Sequence, residues 1–268
     1  MRDTVTVPEV RGRKRAQGAQ PIVMITAYDT PSAKIVDESL ADIILVGDSL
    51  GMVVLGYDNT LAVTMEDMIH HVSAVKRSDP KALLVADMPW ISYHLSVRES
   101  VLNAASLIRA GANAVKLEGG QNRLDVIHAI NDAEIPVMGH LGLTPQSVNA
   151  FGGFKVQARE EATRKRLLED ALAICEAGVF AVVLEGIPSE AAKEVTEAIG
   201  VPTIGIGAGP NCDGQVLVFH DLLGYSLGRK PKFVRSYETF AESGIAALAL
   251  FREDVIEGRY PKEAESYK

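Results

Sequence analysis

The sequence predicts an α/β protein built as a (β/α)8 TIM barrel in a single domain. Three observations carry that reading. Short apolar runs recur along the chain and read apolar on both faces, as the strands of a buried parallel sheet do. Helical patterns lie between most of them, which is the order of a βαβ fold. At 268 residues the chain is close to the roughly 250 residues of one complete barrel.

The first 20 residues form an N-terminal arm ahead of a barrel over 21–268. The arm holds a basic run, Arg11-Gly12-Arg13-Lys14-Arg15, expected to be a solvated arm or a helix start. The first strand is Ile22–Ala27 and the second Ile43–Val46. The helix Glu66–Arg77 follows Thr64 as N-cap, and the strand Leu83–Ala86 comes next. Helix Val97–Ala110 follows Ser96, with Glu99 three residues on as a capping box. Strand Ala114–Leu117, helix Leu124–Asn131 and strand Val137–Gly139 continue the alternation. Helix Glu160–Glu176 offers i,i+4 ion pairs between Glu160 and Arg164 and between Glu161 and Lys165. Strand Ala181–Leu184, helix Glu190–Ile199 and strands Thr203–Ile206 and Val216–Phe219 complete the barrel. The last helix, Tyr237–Glu257, closes the barrel or serves an interface. Gly111 and Gly178 stop helices, and Pro136 and Pro202 begin strands where a missing N–H is tolerated. The gap before the eighth strand is too short for a full helix. Leu50–Val63 and Leu141–Arg159 are long for simple loops, and both follow strand C-termini, where barrel active sites form.

Composition removes several classes. An apolar fraction of 47% with 23% charged residues excludes general disorder, and a net charge of -8 argues against a nucleic-acid partner. Cys175 and Cys212 make no disulfide framework or zinc cluster, which fits a reducing cytoplasm. No apolar run approaches the roughly 18 residues of a membrane helix, and Met1–Gln20 holds no signal-peptide core.

Ionisable residues stand at the C-terminal ends of successive strands: Tyr28-Asp29, Gly47-Asp48-Ser49, Asp87, Lys116-Leu117-Glu118, His140 and Glu185. Packing does not select such residues there, so a shared site is expected rather than separate helix caps. Asp48, Asp87 and Glu118 converge on one rim and would repel one another unless a cation compensates. Oxygen ligation points to Mg2+, with a proton-sharing carboxylate pair as the alternative. Lys116 points to the same side as Glu118, as a charge for a substrate carboxylate or enolate or as a plain counter-ion. Glu185, across the barrel, suits a general base.

Other motifs compete. Gly47-Asp48-Ser49-Leu50-Gly51 fits G-x-S-x-G and the opening of GDSL-type hydrolases, with Ser49 as nucleophile. Its partners Asp125 and His128 fall inside a helix, which argues against it. Gly205-Ile206-Gly207-Ala208-Gly209 resembles a dinucleotide loop, but Pro210 replaces the third glycine and no helix follows. The loop could still present N–H groups to an anion. His70 and His71 read as surface or packing residues.

A family resemblance enters with Ile25-Thr26-Ala27-Tyr28-Asp29, Leu45 to Met52, Lys116-Leu117-Glu118-Gly119-Gly120 and Gly139-His140-Leu141-Gly142-Leu143-Thr144-Pro145-Gln146. With Ile204 to Gly209 and Asp213-Gly214-Gln215 these segments, in order from about Thr26 to Phe233, resemble the ketopantoate hydroxymethyltransferase family. The resemblance implies a barrel enzyme that passes a hydroxymethyl group from 5,10-methylenetetrahydrofolate to 3-methyl-2-oxobutanoate, giving 2-dehydropantoate through a Mg2+-stabilised enolate, at the first committed step of pantothenate synthesis. It implies that Asp48, Asp87 and Glu118 hold the metal directly or through water. It also implies that Asp48, Ser49, Asp87 and Lys116 contact the 2-oxo acid and that Glu185 accepts the proton, with His140 in support. It implies a cytoplasmic homo-oligomer, commonly a decamer. Gly186 stands where some relatives carry cysteine, and the arm is longer and more basic than in some. The nearest rival is another Mg2+-enolate barrel enzyme of the phosphoenolpyruvate mutase and isocitrate lyase group. A Ser49 hydrolase and a non-catalytic assembly barrel are further readings. No aromatic cluster marks the pterin site.

Overall fold

The computed structural model describes residues 3–226 and 230–267. Eight parallel strands close into a barrel in sequence order. They are β1 (Ile22–Thr26), β2 (Ile43–Val46), β3 (Leu83–Asp87), β4 (Ala114–Glu118), β5 (Val137–Gly142), β6 (Ala181–Glu185), β7 (Thr203–Ile206) and β8 (Gly214–Leu217). The barrel unit ends at Val218, and a second compact unit runs from Phe219.

Strands β3 to β6 extend past their expected ends because the polar residues there still pair in register. Asp87 faces Lys116, Glu118 faces His140 and Gly142 faces Glu185 across neighbouring strands. Strand β8 begins two residues early, since Gly214 and Gln215 pair with both β1 and β7.

The helices of the barrel unit are α1 (Val7–Arg11), α2 (Thr30–Glu38), α3 (Leu50–Val53), α4 (Met65–Lys76), α5 (Val97–Ala110), α6 (Leu124–Asp132), α7 (Val148–Phe151), α8 (Glu161–Glu176) and α9 (Ser189–Ala198). Helix α2 was not expected. Asp29 starts it as N-cap, accepting from Ser32 N at 2.7 Å, so this acid is a cap and not a site residue. Thr64 and Asp67 form a reciprocal capping box on α4. Ser96 caps α5 by accepting from Glu99 N, but Glu99 returns to the Ser96 hydroxyl rather than to its backbone N–H. The pairs expected on α8 are not made: Glu160 lies outside the helix as its N-cap, Arg164 turns to Glu194 and Lys165 to Glu169. No helix separates β7 from β8, as the short gap required.

The arm is more than a solvated basic tail. Val5 and Val10 join the core formed by Ile22, Met24, Ile43, Leu83, Ala114 and Ala181 at the strand N-terminal ends. That contact draws the following residues over Asp213. Lys14 is buried, with Nζ 2.8 Å from Asp213 Oδ2 and 2.7 Å from the Thr196 carbonyl, and Arg13 pairs with Asp42 at 2.6 Å. A buried ammonium needs such partners, so the expected solvated run is corrected at Lys14.

The second unit holds α10 (Phe219–Leu223) and α11 (Phe240–Ile256), with Tyr225 stacked on Phe240 at 4.2 Å between ring centroids. Helix α11 lies within the expected Tyr237–Glu257, and Ile245, Leu248, Phe251 and Ile256 on it are exposed.

Candidate active site

Inward-facing strand positions recur every second residue. The barrel core uses Leu83 and Val85, Ala114, Met138, and Ala181 and Val183 in that rhythm. Two residues further along the same inward face come Asp87, Lys116 then Glu118, His140 and Glu185. The site is thus the polar top layer of the barrel core. On β2 the next inward position after Leu45 is Gly47, where a Cβ would press on Ser49 Oγ and Asp87 Oδ2. The absent side chain leaves room for the Asp48-Ser49 turn.

Asp48, Asp87, Lys116, Glu118 and His140 are buried, and Glu185 is partly exposed. Lys116 Nζ lies 2.8 Å from Asp87 Oδ1 and 3.2 Å from His140 Nδ1. His140 Nδ1 is 3.5 Å from Glu118 Oε1, and its Nε2 is 3.3 Å from Glu185 Oε2. Five of the expected residues therefore form one chain of charges from Asp87 to Glu185. Burial and Lys116 both press the His140 pKa down, but Glu118 and Glu185 outweigh them and raise it to about 9. Nδ1 faces both Glu118 and the Lys116 ammonium, while Nε2 faces Glu185. Burial would lower Lys116 too, yet Asp87, Glu118 and Asp48 hold it above its ordinary value.

Asp48 joins from the β2 turn, where its backbone N–H donates to Asp87 Oδ2 at 3.1 Å. Burial first, then Asp87 and Glu118, push the Asp48 carboxyl well above the usual carboxylate range. Ser49 shares a 2.9 Å hydrogen bond with the Tyr28 hydroxyl. Two buried residues were not read from the sequence as site members. Gln146 Nε2 donates to Asp48 Oδ2 at 2.8 Å, and Tyr93 donates to Gln146 Oε1 at 2.6 Å. Gln146 ends the segment Gly139–Gln146, but neutral residues in loops carry no charge pattern to single them out. His71 binds the Tyr28 carbonyl at 2.6 Å, in keeping with its packing role.

The donor set can be tested against a divalent cation. Among the described residues, no three His, Cys, Asp or Glu side chains form a ready-made metal cage. Mg2+ does not require one, since it binds through one or two carboxylates and keeps several waters. The Asp48 backbone N–H reaches Asp87, and burial, with the charges of Asp87 and Glu118, pushes the Asp48 carboxyl well above the usual carboxylate range, a repulsion that a cation would relieve. Glu118 Oε2 accepts from Gln146 N at 3.1 Å and Oε1 faces His140. Both Asp87 oxygens are likewise engaged, Oδ1 by Lys116 and Oδ2 by the Asp48 N–H, so the three acids fit ligation directly or through water.

A family model described as Ketopantoate hydroxymethyltransferase matches residues 4–263. The chain belongs to the ketopantoate hydroxymethyltransferase family. It is 54% identical over 268 residues to a 3-methyl-2-oxobutanoate hydroxymethyltransferase of Moorella thermoacetica, covering 100% of this chain and 99% of the relative. One of the same description from Syntrophomonas wolfei is 55% identical, with 98% and 95% covered. The chain's reaction is that of the family, hydroxymethyl transfer to 3-methyl-2-oxobutanoate. In fold it resembles a phosphonopyruvate hydrolase solved with oxalate and Mg2+ (TM-score 0.60, 14% identity, 97% of this chain and 93% of that one). It also resembles 2,3-dimethylmalate lyase, of the phosphoenolpyruvate mutase and isocitrate lyase superfamily (0.57, 19%, 96% and 89%). The rival group therefore shares the barrel architecture, while the sequence identity lies with the hydroxymethyltransferases. The hydrolase reading of Ser49 loses its partners: its hydroxyl meets Tyr28, and Asp125 and His128 lie on α6.

Proposed function

We propose that the chain transfers the hydroxymethyl group from 5,10-methylenetetrahydrofolate, giving 2-dehydropantoate for pantothenate and coenzyme A synthesis, with Mg2+ as cofactor. The observation that carries the residue roles is the exposure of Glu185. Its side chain is 17% exposed, while Asp87, Lys116 and Glu118 stay at 5% or below. It is the acid a substrate entering the barrel mouth would meet.

In this reading Glu185 accepts the C3 proton of the 2-oxo acid. His140 supports it by holding the carboxylate in place, and its raised pKa of about 9 disfavours it as the alternative base. Lys116 and Ser49 hold the 2-oxo acid, flanked by Asp48 and Asp87. The Lys116 ammonium makes charge-assisted hydrogen bonds to the substrate's oxygens. Asp48, Asp87 and Glu118 would hold Mg2+ directly or through water. When bound, the cation supplies Lewis-acid stabilisation of the negative charge that forms on the 2-oxo acid. The C3 carbon bonds to the one-carbon unit of the folate and water supplies its hydroxyl, as both C–N bonds of the methylene bridge break. The two nitrogens take up the proton from C3 and the one left by water, giving tetrahydrofolate.

The same reading makes the chain a cytoplasmic homo-oligomer, with the decamer common in its family. The exposed apolar residues of α11 support association. The free cysteines support a reducing compartment. Among the described residues no helix is long and apolar enough to cross a membrane.

The test is one assay of 2-dehydropantoate formation from 3-methyl-2-oxobutanoate and 5,10-methylenetetrahydrofolate, with Mg2+ and with a chelator. Product only when folate and Mg2+ are both present is expected. Full activity in chelator would sink the metal, and product without folate would sink the donor.

A further inference from the structure

Gln146 has no role in the reaction so far, yet it touches both flanks of the acid cluster. It sits on the 3-10 turn Pro145–Ser147 after β5 and is buried. Its backbone N–H donates to Glu118 Oε2 at 3.1 Å. Its side-chain amide donates to Asp48 Oδ2 at 2.8 Å and to the Met88 carbonyl at 3.0 Å.

The orientation of that amide follows from groups that can act in only one sense. The Glu118 backbone N–H can only donate, and it reaches the Tyr93 hydroxyl oxygen at 3.2 Å. The Tyr93 hydroxyl can then pass its own proton on, to Gln146 Oε1 at 2.6 Å. With the carbonyl end taken, the NH2 end must face Asp48 and the Met88 carbonyl, and the latter can only accept. The amide is therefore locked at both ends. The relay runs from the β4 backbone through the β3 and β5 loops to the β2 turn.

We propose that Gln146 is a positioning residue for cation capture: held in one orientation by Tyr93, it occupies Asp48 Oδ2 and leaves Asp48 Oδ1 to the ligand. The proposal rests on the reading of Asp48 as a metal ligand. Tyr93 reaches Asp48 only through Gln146, and neither residue takes part in proton transfer.

The experiment is calorimetric titration of Mg2+ into the full chain stripped of metal, without substrate, alongside urea unfolding of each variant. Gln146→Leu should weaken Mg2+ binding about tenfold, the loss of one hydrogen bond to a charged group. Tyr93→Phe, which keeps the ring, should weaken it about threefold by freeing the amide to turn. Added to Gln146→Leu, Tyr93→Phe should cost nothing further in affinity, because its effect passes through the amide. A residue that only supports packing would lower unfolding stability and leave Mg2+ affinity unchanged. Unchanged affinity in both single variants overturns the proposal, and additive losses overturn the relay. If Gln146→Leu does not fold, Tyr93→Phe decides alone. No Mg2+ binding by the unaltered chain would overturn the metal reading itself, and this proposal with it.

Discussion

Lys116 and Asp87 are register partners on neighbouring strands, and their buried side chains meet at 2.8 Å. The pair places a fixed positive charge in the cluster of acids at the barrel's top layer. Lys116→Met keeps the length of the side chain but leaves Asp87 buried without its counter-charge. Removing one partner of such a pair costs about 3–5 kcal/mol. Urea unfolding should show that loss, and the KM for the 2-oxo acid should rise; a variant as stable as the parent would contradict the pairing.

Glu185→Gln should cut kcat by about two to four orders of magnitude, the typical contribution of a positioned base. Binding of 3-methyl-2-oxobutanoate should persist, since the amide keeps the shape of the side chain. Exchange of the C3 proton in deuterated water, followed by NMR without folate, isolates this step. Normal exchange in the variant would move the base elsewhere.

Stability of the metal-stripped protein should fall as pH rises from neutral. The folded chain holds the His140 proton to about pH 9, against an ordinary pKa of 6.5. Its contribution is complete below pH 6.5 and is lost as pH climbs through about 9, on the order of 3 kcal/mol. Asp48, also raised, adds a loss of the same sign at its own pKa. His140→Gln should flatten the decline between pH 6.5 and 9 in denaturant titrations, and an unchanged slope would assign it to another group.

Gly142 has φ +94, and a Cβ there would run into the Glu185 carbonyl oxygen and Ile187. Gly142→Ala therefore pays both a left-handed backbone cost of about 1 kcal/mol and a clash. It should lower the melting temperature and reduce kcat by displacing Glu185. A variant that matches the parent in both would show that the two backbones need not approach this closely.

Lys14→Met should destabilise the chain by about 3–5 kcal/mol, because Asp213 loses its buried ammonium. The site lies at the other end of the strands, so KM for the 2-oxo acid should stay the same in the surviving folded enzyme. A KM shift would show coupling between the two barrel ends.

Much of the fold is legible in the sequence. The eight strands were placed from apolar runs, and β2 (Ile43–Val46) and β7 (Thr203–Ile206) fall at the expected bounds. The rim residues Asp48, Asp87, Lys116, Glu118, His140 and Glu185 were visible because charge at the end of an apolar strand breaks its pattern. Asp29 looked the same in that pattern and proved to be a helix cap, since a rim acid and an N-cap share the same chemistry and position. Lys14 was misread for a related reason: a basic run looks solvated unless its partner is known, and Asp213 is 199 residues away.

By itself the sequence determined the barrel and the layer of charge at its mouth, because alternation along a strand is local and burial follows it directly. Tertiary structure alone decided which charges meet. Asp48 finds Gln146 across 98 residues, and Glu118 and Glu185 find His140, only once barrel closure brings separate strand ends within hydrogen-bond range. Hydrogen bonds reach about 3 Å and depend on direction, so no periodicity in the chain encodes their partners.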